Sequence, residues 1–147
     1  MERAEVAARD APRFSLVLEV ESSPPDIAEE HFRSKLRFET DPADLHADLH
    51  KGPAGFVIVD TRSPEAFDQE HIPGAVNIPH RRMTLETTAM LPRDTLIVTY
   101  CWGPGCNGST KGAARLSALG FRVKELIGGI EYWKREGYRT EPGEPAK

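Results

Sequence analysis

Cysteine is scarce in this chain. Two cysteines in 147 residues cannot form a disulfide framework, so folding has to rest on an apolar core. Long apolar runs are absent as well, and no stretch has the length or apolarity of a membrane span or a signal peptide. The expectation is a cytoplasmic protein with no membrane partner, in a reducing compartment where a free thiol is chemically useful. A basic surplus is missing too. With a formal net charge of -4, the chain lacks the basic face that a nucleic-acid partner requires. His31, His46 and His50 have no partner cysteine or acidic residue at ligand spacing, so no metal is assigned. No internal repeat is present.

The chain is long enough for one domain with a real core, at 39% hydrophobic residues. Its charge is unevenly spread. Residues 1 to 50 hold twelve acidic side chains against six basic ones, whereas residues 101 to 124 hold Lys111, Arg115, Arg122 and Lys124 with no Asp or Glu. A small anion suits that second segment better than a nucleic acid does.

Residues 1–35 read as an N-terminal extension, partly helical. Met1 to Pro12 is charged and Ala-rich without a period and is expected to fray or to form a loosely held helix. Phe14 to Leu18 fits a strand, a helical turn or a subunit contact. Asp26 to Lys35 has the spacing of a short helix. Asp41-Pro42 and Ser63-Pro64 each carry a cap followed by proline, which predicts helices from Pro42 to about His50 and for one or two turns after Pro64. Phe56–Asp60 and Leu96–Val98 read as buried strands, Ala75–Ile78 as a short strand and Val123–Ile127 as the last strand. Residues 81 to 91 are expected to be helical, and Gly128-Gly129 to lead into a short helix carrying Trp133. Residues 140–147 are expected to be a frayed tail. Strands alternating with helices predict an α/β domain with a parallel sheet covered on both faces.

In such sheets ligands bind beyond the carboxyl ends of the strands. Asp60-Thr61-Arg62 and Cys101 both occupy such ends. Gly103, Pro104, Gly105 and Gly108 force the chain after Cys101 to curl before a helix that starts at Ser109. A thiol attacks only as thiolate, and its pKa of about 8.5 falls to roughly 3.5–7.5 near helix N-termini or cations. Backbone amides converging in the curl would cradle an oxyanion against the sulfur, which suits attack on sulfur, phosphorus or arsenic. The alternative is a small buried hydrophobe at Cys101.

Val59-Asp60-Thr61-Arg62 with Glu65-Ala66-Phe67, Glu70-His71-Ile72-Pro73-Gly74-Ala75-Val76-Asn77-Ile78-Pro79, Tyr100-Cys101, and Leu126-Ile127-Gly128-Gly129-Ile130 with Trp133 closely resemble the single-domain rhodaneses. The resemblance covers about residues 36 to 139. It implies the rhodanese-like fold, a central parallel sheet of about five strands flanked by helices, and it implies sulfurtransferase chemistry. Cys101 would take a sulfane sulfur from thiosulfate or a related small anionic donor and carry it as a persulfide to cyanide, a thiol or a protein acceptor, with no cofactor. By the same resemblance Trp102, Gly103, Gly105, Cys106, Asn107, Gly108, Ser109 and Lys111 would form the cradle, with Asp60, Arg62 and His71 bracing it.

The loop itself departs from the pattern. Ser109 stands eight residues after Cys101 rather than the family's usual six, and the basic residue often found in this loop is missing. Related phosphatases place an Arg six residues after the cysteine, where this chain has Asn107, and Lys111 would act there only as a point charge. A phosphatase or arsenate reductase is therefore the weaker alternative. Cys106 either packs into the cradle or resolves a modified Cys101 as a disulfide, which needs Cα atoms within about 7 Å. A reading from another class is a non-catalytic sulfur- or redox-responsive module built on the two cysteines. His80-Arg81-Arg82 either rims the pocket or is an exposed basic turn.

Overall fold

A computed structural model of the chain describes residues 14–52 and 55–143. The expectation for Met1 to Pro12 lies outside these residues. The chain divides into two compact units, Met1–Arg33 and Ser34–Lys147. In the first, Ser15 Oγ accepts the Leu18 amide and closes a turn, and Glu29 pairs with Arg33 one helical turn on. Glu29 and Arg33 belong to helix α1, Pro25–Phe38, which is longer than its apolar spacing suggested and carries no buried residue. Pro25 enters it without losing a needed amide bond.

The second unit holds a five-stranded parallel sheet in the order β1-β5-β4-β2-β3, with β1 Glu39–Thr40, β2 Phe56–Asp60, β3 Val76–Asn77, β4 Leu96–Tyr100 and β5 Val123–Leu126. Helices α2 Pro42–Leu49, α3 Pro64–Gln69, α4 Gly108–Ala118 and α5 Gly129–Arg135 connect and cover it. The predicted caps form: Asp41 accepts the Asp44 amide at 2.8 Å and Ser63 accepts that of Ala66 at 3.2 Å. Both N-terminal helix turns thus have an amide satisfied before the helix proper.

Alternate residues of the central strands point to opposite faces, as a pleated strand requires. Ile58 and Val98 join Leu45, Ile130 and Trp133 under α2 and α5, while Val59 and Ile97 join Met83, Leu116 and Phe121 under α4. Burial on both faces explains why β2 and β4 are continuous apolar runs. Each such side chain contributes roughly 1.5–3 kcal/mol.

One strand was not foreseen, and two local expectations need correction. β1 has no apolar signature, because Glu39 and Thr40 are strand only through pairing with Glu125 and Leu126. Residues 81 to 91 form a 3-10 turn at His80–Arg82 followed by irregular turns instead of a helix. Here Thr87 Oγ1 donates to the Arg82 carbonyl, Thr84 accepts the Thr87 amide and Thr88 Oγ1 donates to the Thr84 carbonyl. Side chains that bond local backbone in this way compete with the helical ladder. The tail expected to fray is held as far as Gly143: His71 and Glu141 exchange backbone bonds at 2.8 and 3.0 Å, and the Gly143 amide reaches the Asp68 carbonyl. Residues 144–147 lie outside the described ones. Among the described residues no helix is long and apolar enough to cross a membrane.

Candidate active site

Cys101 leaves the carboxyl end of β4 beside the end of β2, where the Thr61 amide and Thr61 Oγ1 both donate to the Tyr100 carbonyl. The next carbonyls are held by a second element. At the start of α5 the Ile130 amide donates to Cys101 O at 3.0 Å and the Glu131 amide to Trp102 O at 2.8 Å. Gly129 makes this docking feasible. It sits at φ +61°, and a Cβ there would stand 2.5 Å from the Cys101 carbonyl oxygen, so a side chain would be excluded by both strain and space.

The loop then turns back. Cys106 N–H donates to the Gly103 carbonyl at 3.0 Å, closing a turn with Pro104 in its second position, where a fixed φ is favoured. Helix α4 begins at Gly108, one residue earlier than its pattern suggested. A Cβ on Gly108 would lie 2.8 Å from Cys101 Sγ and 3.4 Å from Cys106 Sγ, so both sulfurs rest on the positive end of α4. The Gly108 amide donates to Cys106 Sγ at 3.4 Å. The loop thus aims this helix-start amide at Cys106 rather than at a ligand above Cys101, as the curl had suggested.

The two cysteines are joined in a disulfide with Cα atoms 6.4 Å apart. Among the described residues no free cysteine remains. A clamped loop was one of two open readings, and it is the one observed. Cys101 is buried at 5% exposure, and Cys106 is half-buried.

A cavity of about 520 Å³ opens beside these sulfurs. Of the loop residues expected to form a cradle, Trp102, Cys106, Asn107, Gly108 and Lys111 line it, whereas Gly103, Gly105 and Ser109 do not. Gly103 lies against Glu131. Ser109 is buried, with its carbonyl accepting from Thr99 Oγ1. His80, Arg81 and Arg82 line it as well, so that turn rims the pocket while Arg81 and Arg82 stay exposed. Hollows of about 620 and 660 Å³ elsewhere contain no cysteine, so size alone does not select the reactive cavity.

Asp60 and Arg62 form a buried brace. Arg62 Nε and Nη2 donate to the Asp60 carboxylate at 2.7–3.1 Å, and Nη2 also reaches the Glu70 carbonyl. Asp60 accepts in addition from Tyr100 OH at 2.7 Å, and that hydroxyl accepts the Ile72 amide at 3.1 Å. Burial works against the Arg62 charge, but the Asp60 hydrogen bonds and charge outweigh it and raise its pKa. Burial, then the Asp60 charge, likewise pushes the Tyr100 hydroxyl well above its ordinary value. The guanidinium lies 4.5 Å from the centre of the Trp102 ring, a cation–π contact that fixes the cavity wall. Among the described residues its Nη1 has no partner. His71 points elsewhere: Nδ1 contacts the Phe67 carbonyl at 2.9 Å and the ring stacks on Phe67.

Arg81, Arg82 and Lys111 line the cavity together with one acidic residue, Glu65. His80 is held below its ordinary pKa first by desolvation and then by Arg81, Lys111 and Arg115. Tyr100 and Gly129 were not singled out for the site from sequence. Their signal was present, in an aromatic at a strand end beside Cys101 and a double glycine before a helix.

Residues 41–136 match the model of the rhodanese-like domain. An HTH-type transcriptional regulator of Mycobacterium tuberculosis is 35% identical over 98 residues, covering 66% of this chain but only 43% of its own length. Thiosulfate sulfurtransferase GlpE of Pseudomonas entomophila is 37% identical over 95 residues, or 63% of this chain and 80% of that protein. The crystal structure of the BH2092 protein from Bacillus halodurans superposes with a TM-score of 0.79 at 50% identity, over 81% of this chain and 87% of that one.

Proposed function

The chain belongs to the rhodanese-like domain family, and on that premise we propose that it is a sulfurtransferase that carries a sulfane sulfur on Cys101. The observation that supports this most directly is the setting of one sulfur. Cys101 Sγ lies against Gly108 at the start of α4 and faces a cavity bordered by Arg62, Arg82 and Lys111. A helix N-terminus and nearby cations favour thiolate over thiol, and the same charges attract a dianionic donor such as thiosulfate.

Once the disulfide is reduced, the Cys101 thiolate attacks the outer sulfur of thiosulfate. The S–S bond of the donor breaks, sulfite departs with its electron pair, and Cys101 keeps the sulfur as a persulfide. Sulfite needs little protonation to leave, so no general base is required, consistent with His71 pointing away from the cavity. Cyanide or a thiol then attacks the outer persulfide sulfur and regenerates the thiolate. Asp60, Tyr100 and Arg62 act by holding the ends of β2 and β4 in register around Cys101.

Reduced Cys106→Ser protein given thiosulfate and cyanide should form thiocyanate, and replacing Cys101 by Ser as well should abolish it. Absence of turnover with any sulfane donor would sink the proposal. The Cys101–Cys106 bond favours one second reading, a sulfur- or redox-responsive module without turnover. That reading gains if sulfur is loaded on Cys101 but never passed on.

A further inference from the structure

We infer that Cys106 is itself an acceptor of the reaction: it attacks the Cys101 persulfide and expels the carried sulfur as sulfide. This rests on the persulfide reading of Cys101 and adds a further activity to it, the release of sulfide from a sulfane donor at the expense of a dithiol.

Four features of the loop carry the inference. The Gly103–Cys106 turn, closed by the Cys106 N–H to Gly103 carbonyl bond at 3.0 Å, returns Cys106 towards Cys101 through backbone bonding alone. The Cα atoms lie 6.4 Å apart, and the two sulfurs are observed bonded, so an approach of Cys106 Sγ to Cys101 Sγ is within reach of the folded loop. The Gly108 amide donates to Cys106 Sγ at 3.4 Å, and a helix-start donor of this kind favours the thiolate at Cys106. Finally, both sulfurs border the same cavity, which gives the expelled sulfur an exit lined by Lys111 and Arg82.

The chemistry balances in two steps. Thiosulfate and the Cys101 thiolate give sulfite and the Cys101 persulfide. The persulfide takes a proton from solvent, and the Cys106 thiolate then attacks its inner sulfur, Cys101 Sγ. The Sγ–Sγ bond forms, the bond to the outer sulfur breaks, and hydrosulfide leaves with the electron pair. The sulfane sulfur is reduced to sulfide while two thiols are oxidised to one disulfide. A dithiol reductant from outside the chain reopens that disulfide for the next cycle. Attack on the outer sulfur would only move the persulfide from one cysteine to the other.

Proximity decides which acceptor wins. Effective molarities of well-oriented intramolecular pairs reach about 10⁵ M, so a small fraction of that exceeds a millimolar external thiol. Burial of Cys101 at 5% exposure further disfavours a bulky competitor, whereas half-buried Cys106 already lies beside it.

The test is a single turnover of the full chain. Protein is reduced, freed of reductant without oxygen, and mixed with thiosulfate and no other acceptor. Close to one equivalent each of sulfite and sulfide per chain is expected, with peptide mapping showing a Cys101–Cys106 disulfide. In Cys106→Ser, sulfide release should fall at least tenfold and the added sulfur should remain on Cys101. If the parent chain releases sulfite but retains the sulfur beside a free Cys106 thiol, the inference is overturned while the persulfide reading stands. Equal sulfide release from Cys106→Ser also overturns it. If neither sulfite nor bound sulfur appears, both readings fall.

Discussion

Replacing Tyr100 by Phe removes one oxygen from a fully buried position, and that oxygen joins three segments of chain. It donates to Asp60 at 2.7 Å and accepts the Ile72 amide at 3.1 Å, tying β4 to β2 and to the segment before β3. Phe has nearly the same shape, so the cost is almost purely that of the polar contacts. A hydrogen bond to a charged group contributes about 1.5–3 kcal/mol, and a buried amide left without a partner costs about 1–3 kcal/mol. Because Arg62 still pairs with the Asp60 carboxylate, the loss should fall at about 2–4 kcal/mol, or very roughly 5–15 °C in the unfolding midpoint. Urea denaturation of parent and variant measures the first quantity, and thermal unfolding the second. Asp60→Asn leaves the Arg62 charge buried without its partner and should cost more, about 3–5 kcal/mol. The double variant should then show a coupling of at least about 0.5 kcal/mol, since the residues touch. A Tyr100→Phe loss below about 0.5 kcal/mol would refute the reasoning, because it would mean the amide and carboxylate are satisfied without the hydroxyl.

Gly108→Ala places a methyl 2.8 Å from Cys101 Sγ, roughly 1 Å inside comfortable contact. Sulfur uptake should slow about 100-fold, since a displacement of that size at a reacting atom costs about that much. Stability should move by less than about 1 kcal/mol because the better helix propensity of Ala offsets the crowding; single-turnover sulfite release within threefold of the parent would contradict the predicted slowing. Lys134→Ala tests the acid side. Glu70 is held below its ordinary value of 4.5 first by the Lys134 hydrogen bond and then by Thr140. Its contribution is therefore complete above that value and lost as pH falls through the lower folded-state value. With both groups partly exposed, the parent should exceed the variant at neutral pH by less than about 1 kcal/mol. The gap should close in denaturation curves taken well below pH 4.5; a gap that persists there would assign the effect to packing.

Where an element rests on neighbouring residues, it was legible in the chain itself. β2 and β4 follow from short β-branched runs, the starts of α2 and α3 from cap-proline pairs at Asp41 and Ser63, and the position of Cys101 from a strand that ends in a glycine-rich curl. These signals are local, because propensity, capping and turn formation act over a few residues. The expected helix over residues 81 to 91 fails for a local reason too, because the hydroxyls of Thr84, Thr87 and Thr88 bond nearby backbone in place of a helical ladder.

What the tertiary structure alone decided involves partners distant in sequence. Glu39-Thr40 is a strand because Glu125 and Leu126 offer an edge. Tyr100 becomes part of the Asp60–Arg62 brace because β2 and β4 pair in register, with Asp60 opposite Tyr100. Arg62 meets the Trp102 ring because β2 and β4 end side by side, and Gly129 matters because α5 docks its first amides on the Cys101 and Trp102 carbonyls. The sequence by itself determined which thiol stands at a strand end before a helix. Only the folded loop, by returning Cys106 through the Gly103 turn, decided that the two sulfurs stand within bonding distance of each other, because that distance depends on where α4 and α5 anchor the loop at its two ends.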